Sequence, residues 1–168
     1  MATSIRHYAD TEGIIRKIKS LESSGAVANI GILAKDAGKP KQGLKKVGKK
    51  YIKVTMQGIT LGEAATFNEF GTHFTPERSF IRSTFDEKSG EWSKSFEKLL
   101  EQVVFSNQSI EWALSVISEQ IQSDIKSKII EISKRKDNSQ ATVKRKGKNT
   151  PLIASRELFS SIDYEVIS

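Results

Sequence analysis

The sequence contains no cysteine among its 168 residues. Disulfide bonds and thiolate metal sites are therefore excluded, and cysteine usage cannot indicate a redox compartment. No apolar run approaches the ~20 residues that a transmembrane helix requires, and residues 1–12 lack the apolar stretch of a signal peptide. We therefore expect a soluble protein that is made and used inside the cell, or inside a particle assembled there, and that does not associate with a membrane.

Histidine occurs only twice, at His7 and His73. His73 closely follows Glu69, and such a pair could act as a general base or as half of a metal site. No third histidine or paired carboxylate stands at metal-ligand spacing nearby, and the chain has no Walker loop, G-x-G-x-x-G, G-x-S-x-G or H-E-x-x-H motif. We therefore expect no enzymatic activity, no cofactor and no bound metal.

The net charge of +7 is distributed unevenly along the chain. Residues 35–53 contain eight lysines and one aspartate, a local charge of +7, and residues 134–148 contain seven basic side chains and one aspartate, a local charge of +6. The rest of the chain therefore carries −6. Because blocks of like charge repel and resist regular structure, we expect a basic hairpin arm at residues 35–50 and a mobile basic loop at residues 134–149, both on an acidic body.

The spacing of apolar residues predicts the remaining elements. Helices are predicted at residues 11–21, 77–105, 110–132 and 154–161. Short alternating or β-branched runs predict strands at residues 26–34, 50–57 and 162–167. The sequence thus predicts a single α+β domain over residues 1–168, in which a small antiparallel sheet of these three strands is covered on one face by helices and carries long basic loops.

The longest regular pattern runs from Ile110 to Ile132, with an isoleucine or leucine at every third or fourth residue. It predicts one apolar stripe about six turns long, on a helix capped by Asn107 or Ser109. The stripe could cover the sheet, the preceding helix or a neighbouring subunit. Packing inside the subunit is the simplest of these interpretations.

A corner between two helices is predicted within residues 61–82. Gly71 suits the left-handed residue that follows a helix end, and Pro76 suits the first turn of the next helix. A corner of this kind is usually structural, since clustered aromatic side chains are more often core than site. We expect Phe80 in the core, whereas Phe70 could be either a core residue or an interface anchor.

Two segments of the chain carry a family resemblance. The first is Asn68-Glu69-Phe70-Gly71-Thr72 followed by Thr75-Pro76-Glu77-Arg78-Ser79-Phe80-Ile81-Arg82, and the second is Thr150-Pro151-Leu152-Ile153 with Ser155, Leu158, Ser160-Ser161-Ile162, Tyr164 and Val166. In this order and at this separation they resemble the neck and tail-completion proteins of long-tailed bacteriophages, and they cover about a fifth of the chain. Ser79 stands where that family commonly has a second proline, and Arg156 where it commonly has a glycine.

The resemblance implies a structural virion protein, a neck, tail-completion, head–tail joining or minor tail component. Such a protein would form a homo-oligomeric ring at the head–tail junction or the upper tail end, assembled in the host cytoplasm. Its partners would be other phage neck, connector or tail proteins. The residues expected at subunit or ring interfaces are Glu69, Phe70, Phe74, Arg78, Arg82 and Tyr164.

The basic segments leave several interpretations open. In a neck ring they could line the DNA channel or meet an acidic rim of an adjoining ring. In a small basic nucleic-acid-binding protein they could contact phosphates without reading sequence, and they could also be merely solvated. A toxin-like or regulatory binding module of prophage origin is a further alternative. The residues expected to contact DNA or an acidic partner are Lys39, Lys41, Lys45, Lys46, Lys49, Lys50, Lys144, Arg145, Lys146 and Lys148.

Overall fold

A computed structural model describes residues 11–106 and 108–168. Predictions that concern residues 1–10, His7 among them, and Asn107 lie outside the described residues. The helices are α1 (Thr11–Glu22), α2 (Ala34–Ala37), α3 (Leu61–Phe70), α4 (Arg82–Phe105), α5 (Ile110–Ser133), α6 (Gln140–Lys146) and α7 (Glu157–Ser161). The strands are β1 (Val27–Ile32), β2 (Pro40–Val47), β3 (Lys50–Thr60) and β4 (Ile162–Ile167). The predicted α+β class is confirmed.

Helix α5 provides the centre of the core. Ile125, Ile129 and Ile132 on one face are at most 2% exposed, and they belong to one apolar cluster with Phe80 and Ile162. The helix contacts α4, β1 and β4, so the predicted stripe packs inside the chain, against both the preceding helix and a sheet. Burying each isoleucine side chain contributes about 1.5–3 kcal/mol to folding.

The two long helices differ in how they begin: the residue before α5 caps that helix with its side chain, whereas the residue before α4 does not. Helix α5 begins after Ser109, whose hydroxyl accepts the backbone N–H of Trp112, as a helix cap does. Helix α4 runs without a break to Phe105, but it begins at Arg82 rather than near residue 77. Pro76 therefore precedes α4 by several residues and does not lie in its first turn.

The strands form two separate two-stranded antiparallel sheets, and not the single three-stranded sheet expected from the sequence. Strand β1 pairs with β4, from Val27 opposite Ile167 to Ile32 opposite Ile162. Strand β3 pairs instead with β2, through a two-residue turn that begins at Gly48, where φ is 61°. Glycine at this position is typical of tight hairpin turns. Closing so short a turn costs less chain entropy than joining a distant strand. This explains why β3 pairs with β2 and not with β1 or β4.

The basic segment at residues 134–149 is not a loop throughout, because α6 forms within it. The Ser139 hydroxyl accepts the backbone N–H of Thr142 at the start of the helix, and Gly147 ends it in a left-handed conformation, with φ at 69°. These end signals and a contact with β2 outweigh the repulsion between neighbouring cations. The expectation of an unstructured loop is therefore wrong for residues 140–146.

Candidate interaction surface

The corner is held together by the carboxylate of Glu69, which is only 5% exposed. Its two oxygens accept the backbone N–H groups of Phe80 at 2.8 Å, Ile81 at 3.1 Å and Arg82 at 2.8 Å, and the hydroxyl of Ser79 at 2.8 Å. The first N–H groups of a helix have no partner within the helix, and a negative charge is favourable there. The side chain thus caps α4 from a distance, which explains why that helix begins where it does.

Two local features place Glu69 at this point. Helix α3 starts with a capping box, in which the side chains of Thr60 and Glu63 each bond the other residue's backbone N–H. After α3, Gly71 adopts a φ of 72°, and a Cβ atom there would lie 3.0 Å from the backbone nitrogen of Glu77. Glycine meets both requirements without strain. The chain can therefore fold back sharply onto the carboxylate.

The hydrogen bonds at the corner keep Glu69 ionised. Burial acts to raise the pKa of Glu69, but the N–H groups of Arg82, Ile81 and Phe80 and the hydroxyl of Ser79 outweigh it and hold the pKa below the ordinary 4.5. The guanidinium of Arg82 also donates to the backbone oxygen of Glu69 at 2.7 Å. The carboxylate is therefore a charged structural group.

Arg78 is likewise 5% exposed and ties the corner to the segment before α6. Its Nε atom donates to Oδ1 of Asp137 at 3.0 Å, and its guanidinium also reaches the side-chain oxygen of Asn138 at 3.3 Å. Its backbone N–H donates to the carbonyl oxygen of Asn68 at 2.7 Å. Although Glu69 and Arg78 are expected at an interface, burial commits both side chains to contacts within the chain.

Two rings at the corner point outward. Phe70 is 60% exposed and Phe74 is 90% exposed; we call this pair the corner aromatics. The guanidinium carbon of Arg82 lies 4.4 Å from the centre of the Phe70 ring, within cation–π distance, and His73 stands edge-on to Phe74 at 4.8 Å between ring centres. Phe80 is fully buried, which confirms its predicted place in the core.

Tyr164, the remaining predicted interface residue, lies on β4. Its hydroxyl donates to Oε1 of Glu119 on α5 at 3.0 Å, and this hydrogen bond raises the pKa of Tyr164 above its ordinary 10.0. The six predicted interface residues therefore do not act as one group. Tyr164 joins a strand to a helix, whereas Phe70, Phe74 and Arg82 remain available at the corner.

The predicted lysine contacts of the hairpin fall into two sets. Near the base of the hairpin, Lys39 pairs with Asp36, and Lys41 lies 3.0 Å from a carboxylate oxygen of Glu157. Near its tip are four exposed lysines that form no ion pair within residues 11–106 and 108–168; the tip lysines are Lys45, Lys46, Lys49 and Lys50. Apolar side chains of the same tip, Val47 and Ile52, are 52% and 46% exposed. The tip is thus a cationic arm with apolar side chains among its lysines.

Helix α6 packs against β2, so the two basic segments are neighbours in space. The contact is close where Tyr51 covers Gly147, because a Cβ atom on that glycine would overlap the tyrosine ring. The basic side chains of this region that remain exposed are Lys144, Arg145 and Lys148. Nothing in the sequence signals this contact, which joins residues almost a hundred positions apart.

Lys146 differs from the other basic residues because it is partly buried. Burial, together with the nearby charges of Arg145, Lys41 and Arg78, lowers the pKa of Lys146 to about 8. It makes no ion pair with any of the described residues. The site therefore contains a cation that lacks a counter-charge.

No family model matches this chain, and neither does any curated protein or solved structure. Within the described residues, no group of three or more histidine and acidic side chains is placed to hold a metal ion. Helices in that part of the chain are too short or too polar to cross a membrane. Exposed aromatic and basic side chains are found at the corner, the hairpin and α6.

Proposed function

We propose that the chain is a structural virion protein of a long-tailed bacteriophage. It forms a closed homo-oligomeric ring at the head–tail junction or the upper tail end, where it completes the tail or joins it to the head. Its partners are other neck, connector or tail proteins, and its function is assembly without catalysis. This proposal begins from the resemblance of residues 68–82 and 150–166 to neck and tail-completion proteins.

The observation that supports it best is the exposure of Phe74 on a rigid corner. The phenyl group of Phe74 is 90% exposed. Its contact with water costs free energy unless a partner covers it. The backbone N–H of Phe74 donates to the hydroxyl of Thr72 at 3.2 Å, and a bridge joins Thr72 to Thr75 on either side of it. Aromatic and arginine side chains are the usual anchors of protein interfaces, and Phe70 with Arg82 lies on the same corner.

The hairpin adds a second contact for a ring. A closed ring repeats one heterologous contact, in which a patch of each subunit meets a different patch of the next. The corner aromatics and the hairpin tip are two such distinct patches. In this arrangement the tip lysines face either the acidic surface of a neighbour or DNA in the channel.

The test is the state of assembly of the purified protein. Light scattering after size exclusion, with negative-stain microscopy, should show annular particles for the wild-type chain. Phe74→Ala should give folded monomers, because the phenyl group of Phe74 makes few contacts within the chain. Phe105→Ala is the matched control, since Phe105 is 69% exposed at the end of α4. A wild-type chain that remains monomeric at all concentrations would refute the proposal.

A small nucleic-acid-binding protein that acts without a ring is the second candidate. It is favoured by the contact of α6 with β2, which combines two basic segments into one surface. Phosphate contacts of this kind give salt-dependent, sequence-independent binding. Tight duplex binding by a monomer, lost when the tip lysines are changed to glutamine, would support this candidate over the ring.

A further inference from the structure

A cleft of about 370 Å³ opens between the hairpin, the corner and α6. Its lining combines apolar and basic side chains with uncharged polar ones and one acidic side chain, Asp137. The apolar side chains include Leu44, Met56, Phe67, Leu152 and Leu158. The basic side chains are Lys41, Arg78, Arg145 and Lys146. This cleft is distinct from the exposed hairpin tip, and it brings together residues from four separate parts of the chain: the hairpin, the corner, residues 137–146 and residues 152–158.

The charges at the cleft are not balanced within the described residues. Lys41 is paired with Glu157 at 3.0 Å, and Arg78 with Asp137 at 2.8 Å. Arg145 and Lys146 have no such carboxylate, although they lie beside the other two cations. Opposite charge stabilises a partly buried cation, whereas like charge destabilises it. Arg145 is exposed to solvent, so Lys146 is the partly buried cation of the cleft that has no carboxylate partner among the described residues.

A second polar group at the cleft also lacks a partner. The side-chain amide nitrogen of Asn138 is buried and donates no hydrogen bond, although the oxygen of the same amide accepts from Arg78 at 3.3 Å. Asn138 and Lys146 both line the cleft. Buried donors normally find an acceptor. Two donor side chains that lack an acceptor and line the same cleft indicate a place for an oxygen atom that carries negative charge.

We propose that this cleft binds the carboxylate of an acidic segment from another protein, with an apolar side chain of that segment packed against Met56 and Phe67. The size and lining of the cavity favour a peptide over nucleic acid. Phosphates of a duplex lie on a broad surface and are contacted by exposed side chains, whereas this cleft has a volume of about 370 Å³ and is partly apolar. The proposal does not depend on ring formation, since a monomer would have the same cleft.

Binding of a carboxylate should be visible at Lys146 itself. The pKa of this lysine is lowered to about 8 by burial and by neighbouring cations, so much of it is uncharged and nucleophilic slightly above neutral pH. A carboxylate in the cleft would offset those cations and favour the protonated form. Bound peptide should therefore slow the reaction of Lys146 with an amine-selective reagent, without slowing that of exposed Lys134.

The experiment measures the affinity of the full chain for a fluorescein-labelled peptide of alternating glutamate and leucine, by anisotropy. We expect Lys146→Met to weaken binding by about tenfold or more. Lys144→Met is the matched control, because it removes the same charge from the exposed side of the same helix, and it should change affinity by no more than about twofold. Thermal melts of each variant establish that it is folded.

Three further probes distinguish the occupants. A peptide with glutamine in place of glutamate should bind weakly, and neither inorganic phosphate nor duplex DNA should protect Lys146 from the amine reagent. Equal loss of binding in both lysine variants would indicate general charge attraction and would overturn the proposal. Equal protection by DNA would assign the cleft to nucleic acid, and equal binding of the glutamine peptide would assign it to apolar ligands alone.

Discussion

The carboxylate of Glu69 accepts the backbone N–H of Phe80 at 2.8 Å, across eleven positions of the sequence. The acceptor is an acidic side chain at the end of one helix, and the donor belongs to a fully buried residue just before the next helix. Because the same carboxylate also holds Ile81 and Arg82, it fixes both the direction of the chain and the place of Phe80 in the core.

Removing this carboxylate should destabilise the fold strongly. We expect Glu69→Ala to lower the free energy of unfolding by about 3 kcal/mol or more, because it leaves buried N–H groups without an acceptor. Glu77→Ala is the control: Glu77 pairs with Arg82 at 2.7 Å but is exposed, and its loss should cost less than about 1 kcal/mol. Urea denaturation measures both. Equal losses would show that the corner does not depend on Glu69.

The same residue should make stability depend on acid pH. Its pKa in the folded state lies below the ordinary 4.5, so the folded chain binds fewer protons at this site than the unfolded chain. The stabilisation by Glu69 is therefore complete at pH values above its pKa in the unfolded state. It is lost as the pH falls through its pKa in the folded state. We expect the difference in unfolding free energy between wild type and Glu69→Gln to shrink on acidification below about pH 4.5. A difference that stays constant would contradict this linkage.

Phe80 and Phe74 should respond oppositely to truncation. Phe80 is fully buried and Phe74 is 90% exposed. Phe80→Ala should cost about 3–5 kcal/mol of stability, whereas Phe74→Ala should leave the melting temperature nearly unchanged and abolish assembly. A thermal melt beside a sizing column separates the two effects. If Phe74→Ala lowered stability as much as Phe80→Ala, Phe74 would be a core residue and not an interface anchor.

Gly147 should be needed for α6 to lie against the hairpin. A side chain there must adopt a positive φ and would also overlap the ring of Tyr51, so we expect Gly147→Ala to cost at least about 1 kcal/mol. Gly38→Ala is the control, because that glycine has a φ of −79° and open space around a Cβ atom. Hydrogen exchange should show faster exchange in α6 only for the Gly147 variant. Unchanged exchange would mean that the ring moves aside without cost.

Neutralising the tip lysines should affect binding without affecting folding. Exposed charges contribute little to stability, so changing all four to glutamine should leave the unfolding free energy within about 1 kcal/mol of wild type. The affinity for duplex DNA or for an acidic partner should fall, and its dependence on salt should become shallower. Replacing four exposed cations elsewhere, Arg16, Lys19, Lys94 and Lys98, controls for net charge. An equal effect of both sets would remove any special role for the hairpin.

Much of the fold follows from local sequence signals. Helix α5 is predictable because its isoleucines recur at helical spacing, and β4 because its residues alternate. By contrast, β2 is hard to predict because its lysines suggest a loop. It forms a strand because the tight turn at Gly48 pairs it with β3. Helix α6 is hard to predict for the same reason, because its cations suggest a loop. Only Ser139 and Gly147 mark its ends, and the contacts that support it come from the distant strand β2.

The site was less predictable than the fold. The resemblance to neck and tail-completion proteins places Glu69, Arg78 and the corner aromatics together at an interface. Which of them are buried depends on how the chain folds back after Gly71, and no local pattern encodes that. The cleft could not be predicted from the sequence. Lys146 and Asn138 line a cavity only because the hairpin packs beside them.

The pairing of β1 with β4 also determines when this protein can finish folding during its synthesis. Residues 27–32 leave the ribosome early, yet their partner residues 162–167 are translated about 130 positions later. Until then the nascent chain keeps an unpaired strand edge and lacks Ile162 in its core, and such intermediates aggregate readily. Contacts so distant in sequence also slow folding. Polypeptides whose translation stalls before residue 162 should therefore be substrates for chaperones or proteases, even though most of their helices have already been made.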